Sequence, residues 1–348
     1  MISEYITKIS SNKNLRYDEM SQIMKEILSG KISVDETTNF LRTLTEKGET
    51  DQELLAMLDE MQENVIHIRP KIDQNIIDVC GTGGDRLSTF NISTSASFVI
   101  AASGVVVAKH GNKSSSGISG SADIFEYFGY DLNMEPNKVQ EIIEKFGIGF
   151  MFAPKFHPAM KNVAEARKII GKRTAFNLLG PLTNPASVKH QLVGVYSKEY
   201  LSRVISLLES RGSESVMTVI SEDGLDELST TSKNYIYQLN KGEVTSSVLD
   251  PAELGLSKAK LQDLQVSTSD EAINAFVSVL NGTAKKSMLE ITALNAAAGL
   301  IVGGFSEKFD EALSISLQTI KKGKAYDLFR DFIKYCGDVT KLEAFEKK

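Results

Sequence analysis

The chain has 348 residues, a formal net charge of −6, 42% hydrophobic and 24% charged residues, and a pI near 5.5. At about 150 residues per domain this is a two-domain length, and the composition excludes disordered, collagen-like and disulfide-scaffold proteins. The acidity argues against bulk attraction to nucleic acid or anionic lipid, so a bound anion must be met by backbone amides, a few placed cations or a metal.

The first residues, Met1-Ile2-Ser3-Glu4, lack the basic and apolar regions of a secretion signal. Helix is predicted through the first seventy residues. Met20, Ile23, Met24, Ile27 and Leu28 recur at helical spacing before Gly30. Ser33 with Glu36 and Thr50 with Glu53 form capping boxes ahead of further apolar repeats, and Arg69-Pro70 ends the pattern. The methionines read as core filler or as a face between subunits.

From Ile76 the character changes. Residues 76–79 form a short buried strand, 93–103 a helix, 105–108 a second strand and 122–128 a helix closed by Gly129. Strands follow at 192–196 and 216–220, and Asn240-Lys241-Gly242 marks a hairpin between two further segments. Strands alternating with helices predict a mostly parallel sheet flanked by helices. The helical stretches 157–171 and 174–179 interrupt that alternation and are expected to pack with the N-terminal helices. The longest apolar run, 98–108, is broken by Ser103 and Gly104 and is too short to cross a bilayer. Two isolated cysteines, Cys80 and Cys336, argue for a reducing setting. The expectation is a soluble cytoplasmic protein with no membrane partner.

Four stretches could carry chemistry. Gly81-Thr82-Gly83-Gly84-Asp85 follows a strand directly, and its glycines let successive amides face one anion. Its spacing matches neither the Rossmann fingerprint nor the phosphate loop of nucleotide hydrolases. Thr89-Phe90-Asn91-Ile92-Ser93-Thr94 opens a helix, where hydroxyls cap the helix or hold phosphate. Lys109-His110-Gly111-Asn112 and Lys113-Ser114-Ser115-Ser116-Gly117 lie just past the second strand, the place where open α/β sheets bind ligands. His110 suits either a general base or a structural role. In Ser221-Glu222-Asp223-Gly224-Leu225-Asp226-Glu227 the carboxylates form a solvated acidic turn or, at Asp226-Glu227, a magnesium site. No zinc pattern and no acyl-transfer elbow is present.

Taken in order, Gly81 to Asp85, Asn91 to Thr94, Lys109 to Asn112, Ser119-Gly120-Ser121-Ala122-Asp123, Asn177-Leu178-Leu179-Gly180-Pro181-Leu182-Thr183-Asn184-Pro185, Asp226-Glu227 and Asn295-Ala296-Ala297-Ala298 resemble the anthranilate phosphoribosyltransferase family of tryptophan biosynthesis. The resemblance covers nearly the whole chain. It implies a small α-helical dimerisation domain (1–70 plus roughly 155–186), a large α/β domain (71–154 and 187–348), and an active site in the cleft between them. It also implies transfer of phosphoribosyl from phosphoribosyl pyrophosphate (PRPP) to the amine of anthranilate, with release of pyrophosphate, by a homodimer using two magnesium ions per subunit. By the same resemblance, Gly81, Gly84, Asp85, Thr89, Asn91, Ile92, Ser93, Thr94, Lys109, His110, Gly111, Asn112, Lys113, Ser114, Ser115, Ser116, Gly117 and Ser121 hold PRPP. Gly81, Asn112 and Arg167 hold anthranilate, with His157 and Pro181 near its tunnel, and Ser93, Asp226 and Glu227 bind magnesium.

Two positions depart from the family pattern. Lys113 stands where the family usually has arginine, which keeps the charge and loses the planar fork of donors. Ile118 stands where a lysine is usual. The competing readings are a pyrimidine nucleoside phosphorylase, which would not need Asp226-Glu227, and a catalytically silent relative that binds nucleic acid. The latter predicts a basic groove and eroded motifs, against a net charge of −6 and intact motifs.

Overall fold

A computed structural model describes residues 2–83, 87–114 and 117–346. The chain forms two compact units, one of residues 1–67 and 153–187, the other of 68–152 and 188–348.

The first unit is helical. Its N-terminal part comprises Ile2–Ser10, Tyr17–Leu28, Val34–Lys47 and Asp51–Glu63. Both capping boxes form: Ser33 accepts the Glu36 amide and Thr50 accepts the Glu53 amide, satisfying donors that a helix start otherwise leaves open. Met20, Met24, Met57 and Met61 are all buried, so their role is packing. The later helix Lys161–Ile170 lies against Val34–Lys47, and Asn162 Nδ2 donates to the Leu28 carbonyl at 2.7 Å. The buried pair Lys47–Glu53, 2.9 Å apart, ties one helix end to the next helix start. Burial pushes the Glu53 carboxyl up, but Lys47 and the amides of Thr50 and Leu15 outweigh it and leave its pKa below the usual value.

The second unit is built on a seven-stranded sheet: β1 (Ile76–Gly81), β2 (Val106–Gly111), β3 (Ile148–Phe152), β4 (His190–Gly194), β5 (Ser215–Ser221), β6 (Asn234–Asn240) and β7 (Glu243–Leu249). The order is β3-β2-β1-β4-β5-β6-β7. The first five run parallel, and β6 and β7 are antiparallel. This is the α/β class that the sequence predicts. The β6–β7 loop places Lys241 and Gly242 at positive φ, as a two-residue hairpin requires. Phe98, on the helix Ile92–Ala102, meets Phe276, Phe329 and Phe332 edge-to-face, anchoring that helix in the core beside the sheet.

Two expectations are corrected here. β2 does not end at Ala108 but runs on through Lys109, His110 and Gly111, which pair with Phe150, Met151 and Phe152 of β3. The strand β3, with the helix Pro136–Phe146 before it, went unread in the sequence. No helix among the described residues is long and apolar enough to cross a membrane.

Candidate active site

Parallel strands end together, so the loops that follow them gather at one edge. At that edge of the second unit is a cavity of about 310 Å³ lined by residues 80–83, 88–94, 109–114, 117–121, Asp226 and Glu227. Thus the glycine turn, the hydroxyl-rich helix start, the lysine loop and the acidic pair meet around one space. Gly84, Asp85, Ser115 and Ser116 lie outside the described residues.

Each wall has a local cause. The segment before the helix is tied down by antiparallel bonds: Phe90 donates to Leu264 O and Val266 donates to Ser88 O. Ile92–Ala102 then begins at the cavity, with Ile92, Ser93 and Thr94 lining it, and a helix start carries a partial positive charge suited to phosphate. Asp226 is buried, and its Oδ2 accepts the Gly83 amide at 2.7 Å, closing the glycine turn. A β-carbon at Gly81 would lie 2.5 Å from that same oxygen, so any larger residue there would push the Asp226 carboxylate aside. Behind the acidic pair, buried Asn295 accepts the Leu228 amide and donates to the Leu228 carbonyl, at 3.0 and 2.7 Å. Of the four carboxylates in the acidic stretch, Asp223 is held away by Ser221 and Thr231. Asp226 and Glu227 are the ones that line the cavity.

Lys109 is buried, and its ammonium donates to Val79 O at 2.7 Å and Ser93 Oγ at 3.3 Å. Burial lowers its pKa, opposed by Asp78, Cys80 and Glu227. Sequence reading placed this lysine on a loop facing an anion, but the continued strand turns it inward. Lys113 stands at the rim, where Glu126 takes its ammonium at 2.7 Å. Asp78 lies in the strand expected at 76–79 and Asn295 in a motif of the family resemblance, but neither carries a site role in the sequence. Their only signal is a polar residue inside an apolar strand or helix close to a chemistry-bearing motif.

The helical unit holds His157, Arg167 and Pro181. The Arg167 guanidinium carbon lies 5.6 Å from the centre of the Phe176 ring, and no carboxylate pairs with it among the described residues. Burial alone lowers its pKa. His157 is buried, and desolvation, followed by the nearby His67, pushes its pKa down to about 4 against the bond it donates to the Thr183 backbone carbonyl. It is therefore neutral at physiological pH.

Glycosyl transferase family models match both parts of the chain, the helical bundle domain over residues 3–65 and the a/b domain over 73–326. The anthranilate phosphoribosyltransferase of Nitrosopumilus maritimus is 59% identical over 343 residues, covering 99% of each chain. The chain belongs to the anthranilate phosphoribosyltransferase family. A second family member, from Thermoanaerobacter, is 42% identical over 335 residues, 96% of this chain and 98% of its own. Among solved members, the Thermus thermophilus enzyme superposes with a TM-score of 0.87 at 36% identity, covering 95% of this chain and 98% of that one. The Saccharomyces cerevisiae enzyme, solved in complex with PRPP and Mg, also gives 0.87, at 25% identity over 96% and 97% of the two chains.

Proposed function

We propose that this protein transfers the phosphoribosyl group of PRPP to the amine of anthranilate, releasing pyrophosphate, as a step of tryptophan biosynthesis. The observation that carries the reading is the meeting of glycine turn, helix N-terminus and Asp226-Glu227 around one cavity, in a chain 59% identical to a named transferase.

The reaction is a displacement at the anomeric carbon of the ribose, where bond breaking leads and positive charge grows on the ring. The glycine turn and the start of the helix border the phosphates, the hydroxyls of Ser93 and Thr94 complete that floor, and Asn112 stands at the anthranilate side. Arg167 is proposed to receive the anthranilate carboxylate in its planar fork, which orients the amine for attack. His157 and Pro181 border that aromatic. Catalysis is then mainly positioning and electrostatics.

Ser93, Asp226 and Glu227 present only hard oxygen donors to the cavity, the donor type magnesium takes when it shares its shell with substrate phosphates. Bound there, magnesium supplies neutralising charge to the pyrophosphate. We further propose two such ions per subunit, a homodimer formed through the helical unit and a cytoplasmic location. The charge and cysteine content support the last of these.

The test is fluorescence-monitored consumption of anthranilate with PRPP and magnesium. Turnover is expected. No turnover, with phosphorolysis of a pyrimidine nucleoside instead, overturns the assignment.

A further inference from the structure

The β1–β2 ladder stops short beneath the cavity. Backbone register between β1 and β2 covers two pairs, Ile76↔Val106 and Ile77↔Val107, although both strands continue to Gly81 and Gly111. On its other side β1 stays paired with β4 from Ile77 to Gly81, so the break is confined to the β1–β2 seam. Beyond the last pair, side chains replace the ladder. Asp78 Oδ1 accepts the His110 amide at 3.1 Å, and Lys109 Nζ donates to the Val79 carbonyl at 2.7 Å. Asp78 is fully buried and Lys109 nearly so. A buried charge persists only when paired and hydrogen-bonded. Here the carboxylate also accepts from the Cys80 thiol and attracts the Lys109 ammonium. The ammonium in turn reaches Ser93 Oγ at 3.3 Å, so the same pair touches the start of the phosphate-facing helix.

We propose that Asp78 is a positioning residue of this active site: with Lys109 it wedges the ends of β1 and β2 apart and so sets where the glycine turn, His110 and Ser93 stand around PRPP. The wedge explains why a carboxylate sits inside an otherwise apolar strand. Two ladder hydrogen bonds would close the seam and draw Gly81 and Gly111 together. Two oppositely charged side chains span it instead and leave room for a ligand between the strand ends. The choice of PRPP as probe rests on the transferase reading.

The variants are Asp78→Asn, Lys109→Met and the double. Asp78→Asn keeps shape and an acceptor while removing the charge. It is expected to weaken PRPP binding by calorimetry, and to lower kcat, by about tenfold or more each, as misplacement of binding groups does. The KM for anthranilate should stay near wild type, while the thermal midpoint falls because Lys109 is left buried without its counter-charge. Because both groups serve one wedge, the double variant should be no worse than the worse single. Wild-type PRPP binding and kcat in Asp78→Asn, or losses that multiply in the double, overturn the proposal. Should Asp78→Asn fail to fold, amide exchange in the wild type decides: slow exchange at His110, matching Val107 in the ladder, supports the wedge, and fast exchange overturns it. If the wild type binds PRPP but makes no product from anthranilate, the transferase reading fails while the binding and exchange measurements still judge Asp78.

Discussion

A β-carbon at Gly194 would stand 1.6 Å from the carbonyl oxygen of Asp226. The end of β4 and the acidic turn after β5 thus touch backbone to side-chain position, and that contact places Asp226 over the glycine turn. Gly194→Ala is expected to push the acidic pair outward. Overpacking of this kind costs about 1–3 kcal/mol in stability, and here kcat should fall further than stability does. Denaturant unfolding together with turnover checks this. A stable variant with wild-type kcat would show that the turn yields freely.

Asp226→Asn and Glu227→Gln should each raise the magnesium concentration needed for half-maximal rate and slow turnover severely. Asn can still accept the Gly83 amide, so its defect isolates the missing charge from the closing of the turn. Rates titrated against magnesium test the pair. Wild-type curves from both variants would remove the metal assignment.

Ile118→Lys is expected to tighten PRPP. Ile118 lines the cavity, and the nearby Lys113 is engaged by Glu126 at the rim, so a new ammonium would add a charge now missing. A charge-assisted bond is worth about 1.5–3 kcal/mol, or roughly ten- to a hundredfold in affinity, less where solvent screens it. An unchanged KM for PRPP would mean that the position faces away from the phosphates.

For Arg167→Ala the expected outcome is a large rise in the KM for anthranilate with little change in that for PRPP. Loss of a bidentate carboxylate contact predicts roughly ten- to a hundredfold. Steady-state kinetics in both substrates decide it. A defect confined to PRPP would reassign the residue.

His157 makes stability pH-dependent. Its pKa is about 4 when folded and about 6.5 in an unfolded chain. Between those values the unfolded state binds more protons, so stability falls as pH drops. The loss attributable to this residue is on the order of 3 kcal/mol, absent above about pH 6.5 and complete below about pH 4. Unfolding of wild type and His157→Gln at about pH 7 and about pH 5 measures the difference. Parallel pH slopes would show that His157 is not the cause.

What the sequence revealed was local. Ser33 with Glu36, Thr50 with Glu53, the strand before Gly81 and the hairpin at Lys241-Gly242 each carry their signal within a few residues, and each formed. What stayed hidden depends on distant partners. Ile148–Phe152 reads weakly as a strand because Gly149 interrupts it, and that glycine is needed where a β-carbon would meet Ile143 at 2.4 Å. Lys109-His110-Gly111 looks like a loop because lysine is rarely buried. Pairing with Phe150 to Phe152 makes it a strand, and the Val79 carbonyl and Asp78, thirty or so residues earlier, take up the buried ammonium and the His110 amide. The cavity motifs were visible as types of residue, whereas the inward turn of Lys109 and the capture of Lys113 by Glu126 were not.

The chain leaves the helical unit near residue 67 and returns to it at 153. During synthesis, therefore, the first four helices emerge without Lys161–Ile170, the helix that packs on Val34–Lys47. β1, β2 and β3 are all translated before that helix exists. The helical unit is completed from a second visit of the chain and not from its N-terminal stretch. Its assembly is obliged to wait for part of the sheet, and an N-terminal fragment of residues 1–67 lacks the helix that would cover it.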